Sequence, residues 1–463
     1  MTWAPNFVGL ERVSVRLRRW GVELLSRDKL LARLMMGGGA AFLIYMIGHG
    51  LAFITQLILA RGLGAENYGI YAYVFAWLTV LAYVATLGHT VAILRFIPTY
   101  MASESWSLLA GVMRYVELTT MAAALLLIVI GAAVVLSLGS IDMGNVRTTF
   151  LIGLPVVLLW SLVWLYSSMI RAFGGIATAL IPVRIVREGA LCAFAVGLIF
   201  GVPWLPGANL AMGGLVLASL LALAMAIRLL RNCRPVAPAA ASPVYDAATW
   251  NRTSLPLLVI VAAEALFDKA PVLVLGAIGN SQDAGIFALV FSISMLVVLP
   301  RTALDTMFAP AIARLHAERK LDDLRVLVVR AAVLSSASAV AVSIVLVVAS
   351  RPLLHWFGPE FEAGVEALQV LLVGQLIVTV SGSQLLMMSM TGNESEAART
   401  LLGCTIANLL LCGLLAAGFG LLGAAFASAA MIVVWNVKMA VDIKRKLDLW
   451  PGLFAGLGST TQS

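Results

Sequence analysis

Apolar runs of about 20–28 residues recur along this 463-residue chain, and none alternates polar with apolar positions. A helix needs that length to cross bilayer hydrocarbon. The missing alternation excludes barrel strands. Backbone groups in lipid must pair inside the structure, so each run is read as a transmembrane helix. Charge agrees: 12% of residues are charged and 61% are hydrophobic, whereas a soluble domain carries about 25% charge.

Twelve spans are predicted, near 34–60, 69–94, 111–138, 148–171, 177–200, 208–231, 250–276, 285–310, 327–350, 364–390, 397–417 and 420–442. With the N-terminus inside, the inward segments hold twenty Lys and Arg and the outward loops three. That asymmetry orients the chain with both termini cytoplasmic. The net charge of +8 therefore reflects topology and does not point to nucleic acid. Four cysteines without a C-x-x-C and four histidines without ligand spacing give no disulfide framework or metal site.

One stretch is written twice. Residues 57–75, LILARGLGAENYGIYAYVF, align without a gap to 273–291, LVLGAIGNSQDAGIFALVF, at an offset of 216, with seven identities. Six spans separate the copies, so the two halves share one orientation, as in a parallel repeat. The expected fold is an all-α polytopic membrane protein, with two pseudo-symmetric six-helix lobes around a central cavity. Its parts are a basic amphipathic segment 1–33 on the inner leaflet, an N-lobe 34–231, a Pro- and Ala-rich linker 232–249, a C-lobe 250–444 and a tail 445–463.

Ionisable side chains inside spans are expensive and face the bundle interior or snorkel. Arg184, Arg187 and Glu188 lie on the fifth span. Arg184 and Glu188 are four apart and share a helical face, which leaves Arg187 to grip a phosphate through its planar fork. On the seventh span Glu264 and Asp268 form an acidic i,i+4 pair beside Lys269. Arg301 and Asp305 follow Pro300, where a kink is expected. The bland readings are a self-neutralised pair, a polar clasp between lobes and an ion pair within one helix. Arg95 reads as a snorkelling anchor, His49 and His89 as core histidines, and the glycines of the first span, including Gly48 and Gly50, as close-packing positions.

Several segments together carry a family resemblance. ARGLGAENYGIYAYVFA at 60–76 and LGHTVAILRFIPTY at 87–100 lie in the first half. Asp268-Lys269 before Gly285-Ile286-Phe287, then FAPAIARLHAERKLDDLRVLVVRAA from Phe308, then FGPEFEAGVEALQVLLVGQL and the Met390–Glu394 turn lie in the second. Their order and spacing resemble bacterial polysaccharide-biosynthesis flippases of the multidrug/oligosaccharidyl-lipid/polysaccharide exporter superfamily. The resemblance implies an inner-membrane carrier, not an enzyme. Its cargo would be a polyprenyl-diphosphate-linked oligosaccharide, moved outward by alternating access, with membrane lipids and a polysaccharide polymerase or other assembly proteins as partners. Arg184, Arg187, Lys269 and Arg301 would then bind substrate, and Glu264 and Asp268 would couple transport. No cofactor is implied beyond a coupling proton or sodium ion. Two other readings stand beside it: a cation-coupled multidrug antiporter of the same superfamily, and a membrane glycosyltransferase, polymerase or ligase. The enzyme would need catalytic carboxylates or metal ligands on outward loops, and these loops are short.

Overall fold

The computed structural model describes residues 29–137, 144–201, 207–234, 242–302, 304, 321–390, 393–447 and 450–452, and every regular element among them is helical. Residues 1–28 of the amphipathic segment, Asp305 and the basic connection from Phe308 to Lys320 lie outside the described residues. In order, the helices are α1 (Lys29–Ala85), α2 (His89–Ala102), α3 (Trp106–Ser137), α4 (Gly144–Gly153), α5 (Pro155–Ala172), α6 (Ile176–Leu180), a π-helical turn (Ile181–Val186) and α7 (Arg187–Gly201). There follow α8 (Ala208–Cys233), α9 (Ala247–Ala277), α10 (Ser281–Ser294) with a 3-10 turn (Met295–Val297), and α11 (Leu321–Phe357). A second 3-10 turn (Pro359–Gly364), α12 (Val365–Val380), α13 (Gln384–Met390) and α14 (Glu394–Leu447) complete the chain.

Seven stretches among the described residues are long and apolar enough to cross a membrane. Two of them, Leu43–Ala102 and Ser395–Lys446, are of double length. Each is broken by one glycine, Gly64 (φ 72°) and Gly420 (φ 54°), in a backbone region that side chains avoid. Those breaks make nine segments. The helical runs 176–201, 247–277 and 281–297 bring the number to twelve. The expected loops 61–68 and 418–419 are thus single-residue breaks in continuous helix. The second span also bends at Thr86–Gly88 before α2, and the tenth stops at Val380 and resumes at Gln384.

Four connections converge on one face of the molecule. Ala65 N–H donates to Glu360 Oε2 (2.8 Å), and Leu421 N–H to Asp283 Oδ2 (3.1 Å). The duplicated stretches meet at this face. A Cβ on Gly69 would lie 1.7 Å from the Ser281 carbonyl oxygen, and one on Gly285 would lie 2.7 Å from that of Ala65. Both pairs are related by the offset of 216, so the pseudo-two-fold axis passes between them. Toward the opposite face, Val244 N–H donates to Ser107 O (3.0 Å), Trp250 Nε1 to Tyr100 Oη (3.0 Å) and Asn251 Nδ2 to Tyr115 Oη (2.8 Å). The start of α9 is thereby docked on the first half of the chain.

Pro271 lies inside α9 and removes the amide that would pair with the carbonyl four residues back, that of Phe267. Asn408 Nδ2 of α14 donates to that oxygen at 3.1 Å, and Thr405 Oγ1 reaches the Ala263 oxygen at 3.0 Å. Both side chains are buried. Asn408→Leu is expected to lower stability by about 1–3 kcal/mol, the penalty for an orphaned buried acceptor. Thermal unfolding in detergent measures it. In a Pro271→Ala background the intrahelical bond returns and the same change should be close to neutral.

Candidate functional site

The fifth span carries its charges on an irregular helix. Pro182 sits in the π turn Ile181–Val186, where hydrogen bonds run i to i+5. The wider turn takes Arg184 off the face it would share with Glu188 on an α-helix. It is Arg187 that pairs with Glu188, through Nε (3.0 Å) and Nη2, both on Oε1. The guanidinium also lies 5.0 Å from the Trp160 ring centroid, and Trp160 is fixed by donating Nε1–H to Ser219 Oγ at 2.9 Å. The expected Arg184–Glu188 partnership and free Arg187 are thus reversed.

Arg184 instead lies 4.5 Å above the Tyr45 ring and donates to Tyr45 Oη at 3.3 Å. Gly48 permits this approach, since a Cβ there would lie 2.7 Å from Arg184 Cβ. Gly50 has nothing within 4 Å, so its place in the glycine run is not a packing contact. His49 takes the Tyr45 carbonyl (2.9 Å) and His89 the Thr119 hydroxyl (3.1 Å) through one ring nitrogen each, as core histidines do.

Glu264 and Asp268 on α9 are both exposed, yet Glu264 lies thirteen residues, about 20 Å, from the helix end at Ala277. Exposure at that depth means lipid or a wet interior, and a carboxylate in lipid is strongly disfavoured. Lys269, beside Asp268 on the same helix, reaches across to the first half of the chain, within 5.8 Å of the Phe75 ring, and Phe75 packs on Trp160, over which Arg187 lies.

Behind these charges stands an aromatic wall. Tyr71, Phe75 and Tyr83 recur along one face of α1, with Tyr71–Phe75 at 5.9 Å. Trp160 packs edge-on to Phe75 at 5.0 Å, Trp164 lies 5.7 Å from Trp160, and Trp164 stacks on Tyr83 at 4.2 Å. Cation–π contacts of this kind contribute about 0.5–2 kcal/mol each. The spacing of these rings is visible in the sequence, but in so apolar a chain they read as ordinary core.

Arg301 is placed elsewhere. Its Nη1 donates to Gly382 O (3.1 Å) and Val378 O (3.4 Å), at the carbonyl end of α12 where a cation is favourable. It holds a helix terminus and does not join Arg184, Arg187 and Lys269. The kink expected at Pro300 is present as the 3-10 turn Met295–Val297 just before it. Among the described residues no group of three or more potential ligands could hold a metal ion.

The fold is that of a multi-pass, two-lobed helical membrane protein with a charged and aromatic centre. Similar solved structures include an inward-facing multidrug resistance MATE family transporter of the MOP superfamily, with TM-score 0.71, 14% identity, and coverage of 90% of this chain and 100% of that one. A MOP superfamily transporter from Pyrococcus furiosus, described as having a binding pocket of reverse polarity, gives 0.66, 12%, 92% and 98%. The MATE multidrug transporter DinF-BH gives 0.62, 17%, 91% and 96%. No curated protein matches the chain. Residues 34–316, more than half of it, match the family described as Polysaccharide biosynthesis protein. The chain belongs to that family.

Proposed function

We propose that this protein is a flippase that carries a polyprenyl-diphosphate-linked oligosaccharide across the cytoplasmic membrane by alternating access. The observation that carries the reading is the interlobe cluster. Arg187 from one lobe and Lys269 from the other sit against one aromatic wall, over Trp160 and Phe75, which pack on each other, and Arg184 lies on the helical run that carries Arg187, over Tyr45. Arg184 rests on the Tyr45 ring, whereas Lys269 lies by the Phe75 ring and within electrostatic reach of Asp268, so an incoming diphosphate takes Arg184 from a ring and competes with a carboxylate for Lys269. Sugar rings stack on Phe75, Tyr83 and Trp164, and the prenyl tail stays in lipid. With the interior negative, outward movement of the anion is favoured by about 2.3 kcal/mol per charge per 100 mV. Glu264 and Asp268 take a proton or sodium ion to return the empty carrier, and a polysaccharide polymerase receives the product.

The exposed Glu264 and Asp268 beside aromatic faces favour a second reading, a cation-coupled multidrug antiporter. One experiment separates the two. Proteoliposomes are given either a fluorescent polyprenyl-diphosphate oligosaccharide or a cationic rhodamine dye, with and without a pH gradient. The flippase reading expects lipid translocation that falls at least about tenfold in Arg184→Gln/Lys269→Gln, the loss of one or two charge-assisted contacts, at unchanged protein level. Dye transport without lipid translocation, or a double variant as active as its parent, overturns it.

A further inference from the structure

The face that carries Gly64, Asp283, Glu360 and Gly420 is closed by a contact that neither reading of the cargo uses. The Gly64 break leaves the first amides of the second half of α1 without intrahelical acceptors. Glu360 of the other lobe supplies one, with its Oε2 2.8 Å from Ala65 N. A carboxylate at a helix N-terminus is favoured by both the hydrogen bond and the helix dipole. Two aromatic residues flank it. Phe357 meets Phe53 edge-on at 5.7 Å and Phe361 meets Tyr68 edge-on at 6.0 Å. Both are buried, and the turn at Gly358 (φ 144°) brings them within 6.4 Å of each other.

Two neighbouring carboxylates make the contrast. Among the described residues Glu362, two residues on, bonds within its own lobe, to His355 Nδ1 (2.6 Å) and Arg351 Nε (3.5 Å). Asp283 caps the second glycine break, at Leu421, also within one lobe. Of these three, only Glu360 ties the lobes together. Any movement that separates the lobes at this face must break that bond, whereas the other two can persist.

We infer that Glu360 is a releasable latch: by capping the amide of Ala65 it holds this face of the carrier shut, and its release is a required step of opening. The test uses Asp268→Cys as a reporter in the full-length protein in membranes. A membrane-impermeant maleimide is applied from the face that carries residue 360, and protein without the reporter gives the background of the four native cysteines. Glu360→Ala is expected to raise the labelling rate about fivefold, the population equivalent of losing one helix cap. Glu360→Gln keeps an acceptor without the charge and should give a smaller rise. Glu362→Ala should label like the parent. An unchanged rate in Glu360→Ala, in protein that remains monodisperse in detergent, overturns the latch. So does an equal rise in Glu362→Ala, which would mean only that the turn had loosened.

Discussion

Gly69→Leu is expected to hold the two lobes apart at the face where the duplicated stretches cross. A Cβ at Gly69 would sit 1.7 Å from the carbonyl oxygen of Ser281 and 2.6 Å from its carbon. Both are backbone atoms of another helix, so no rotamer change relieves the overlap. Overpacking that side chains can absorb already costs about 1–3 kcal/mol. Here the helices must move, and about 3 kcal/mol corresponds to a shift on the order of a hundredfold in the closed population. Gly285→Leu should act likewise, since its Cβ would fall 2.8 Å from Gly69 Cα. The double variant should add little to either single one, because the first separation relieves the second clash. Thiol labelling of an Asp268→Cys reporter from that face reads the population, and translocation in proteoliposomes reads the consequence. Parent-like labelling and transport in folded Gly69→Leu protein would show that the lobes never need to approach this closely.

This pair is legible in the sequence, because the repeat marks Gly69 and Gly285 as equivalents and a parallel repeat places equivalents about one axis. The spans are legible too, since backbone pairing in lipid leaves little besides helices. What sequence periodicity misplaces depends on departures from the regular helix. The rule that residues four apart share a face assumes 3.6 residues per turn. The π turn at Ile181–Val186 breaks that assumption where Arg184 sits, so periodicity assigns Glu188 to the wrong arginine. Arg301 is read by its position in a span, and nothing local indicates that the carbonyl end of α12 comes to it. Polar turns read as loops at 61–68, although one glycine suffices to redirect a helix. Thr405 and Asn408 are ordinary residues in an apolar helix. Their role follows only from the carbonyl that Pro271 leaves exposed on α9.

The second large effect is expected at Glu188. Arg187 and Glu188 form an ion pair whose side chains are only 12% and 10% exposed. Removing one partner of such a pair leaves an uncompensated buried charge and costs about 3–5 kcal/mol, whereas replacing both with apolar groups of similar volume is often neutral or stabilising. Glu188→Leu should therefore lower the unfolding temperature in detergent markedly, and Arg187→Met/Glu188→Leu should recover most of the loss. Transport separates structure from binding. If Arg187 also meets the cargo's phosphates, the double variant regains stability and remains impaired in translocation, because its stack on Trp160 no longer presents a cation to the interlobe space. A double variant restored in both respects would confine Arg187 to a structural role and leave Arg184 and Lys269 as the proposed phosphate-binding cations. The measurement thus bears on how many charges the carrier commits to its ligand, and that number sets how strongly salt and membrane potential should affect its rate.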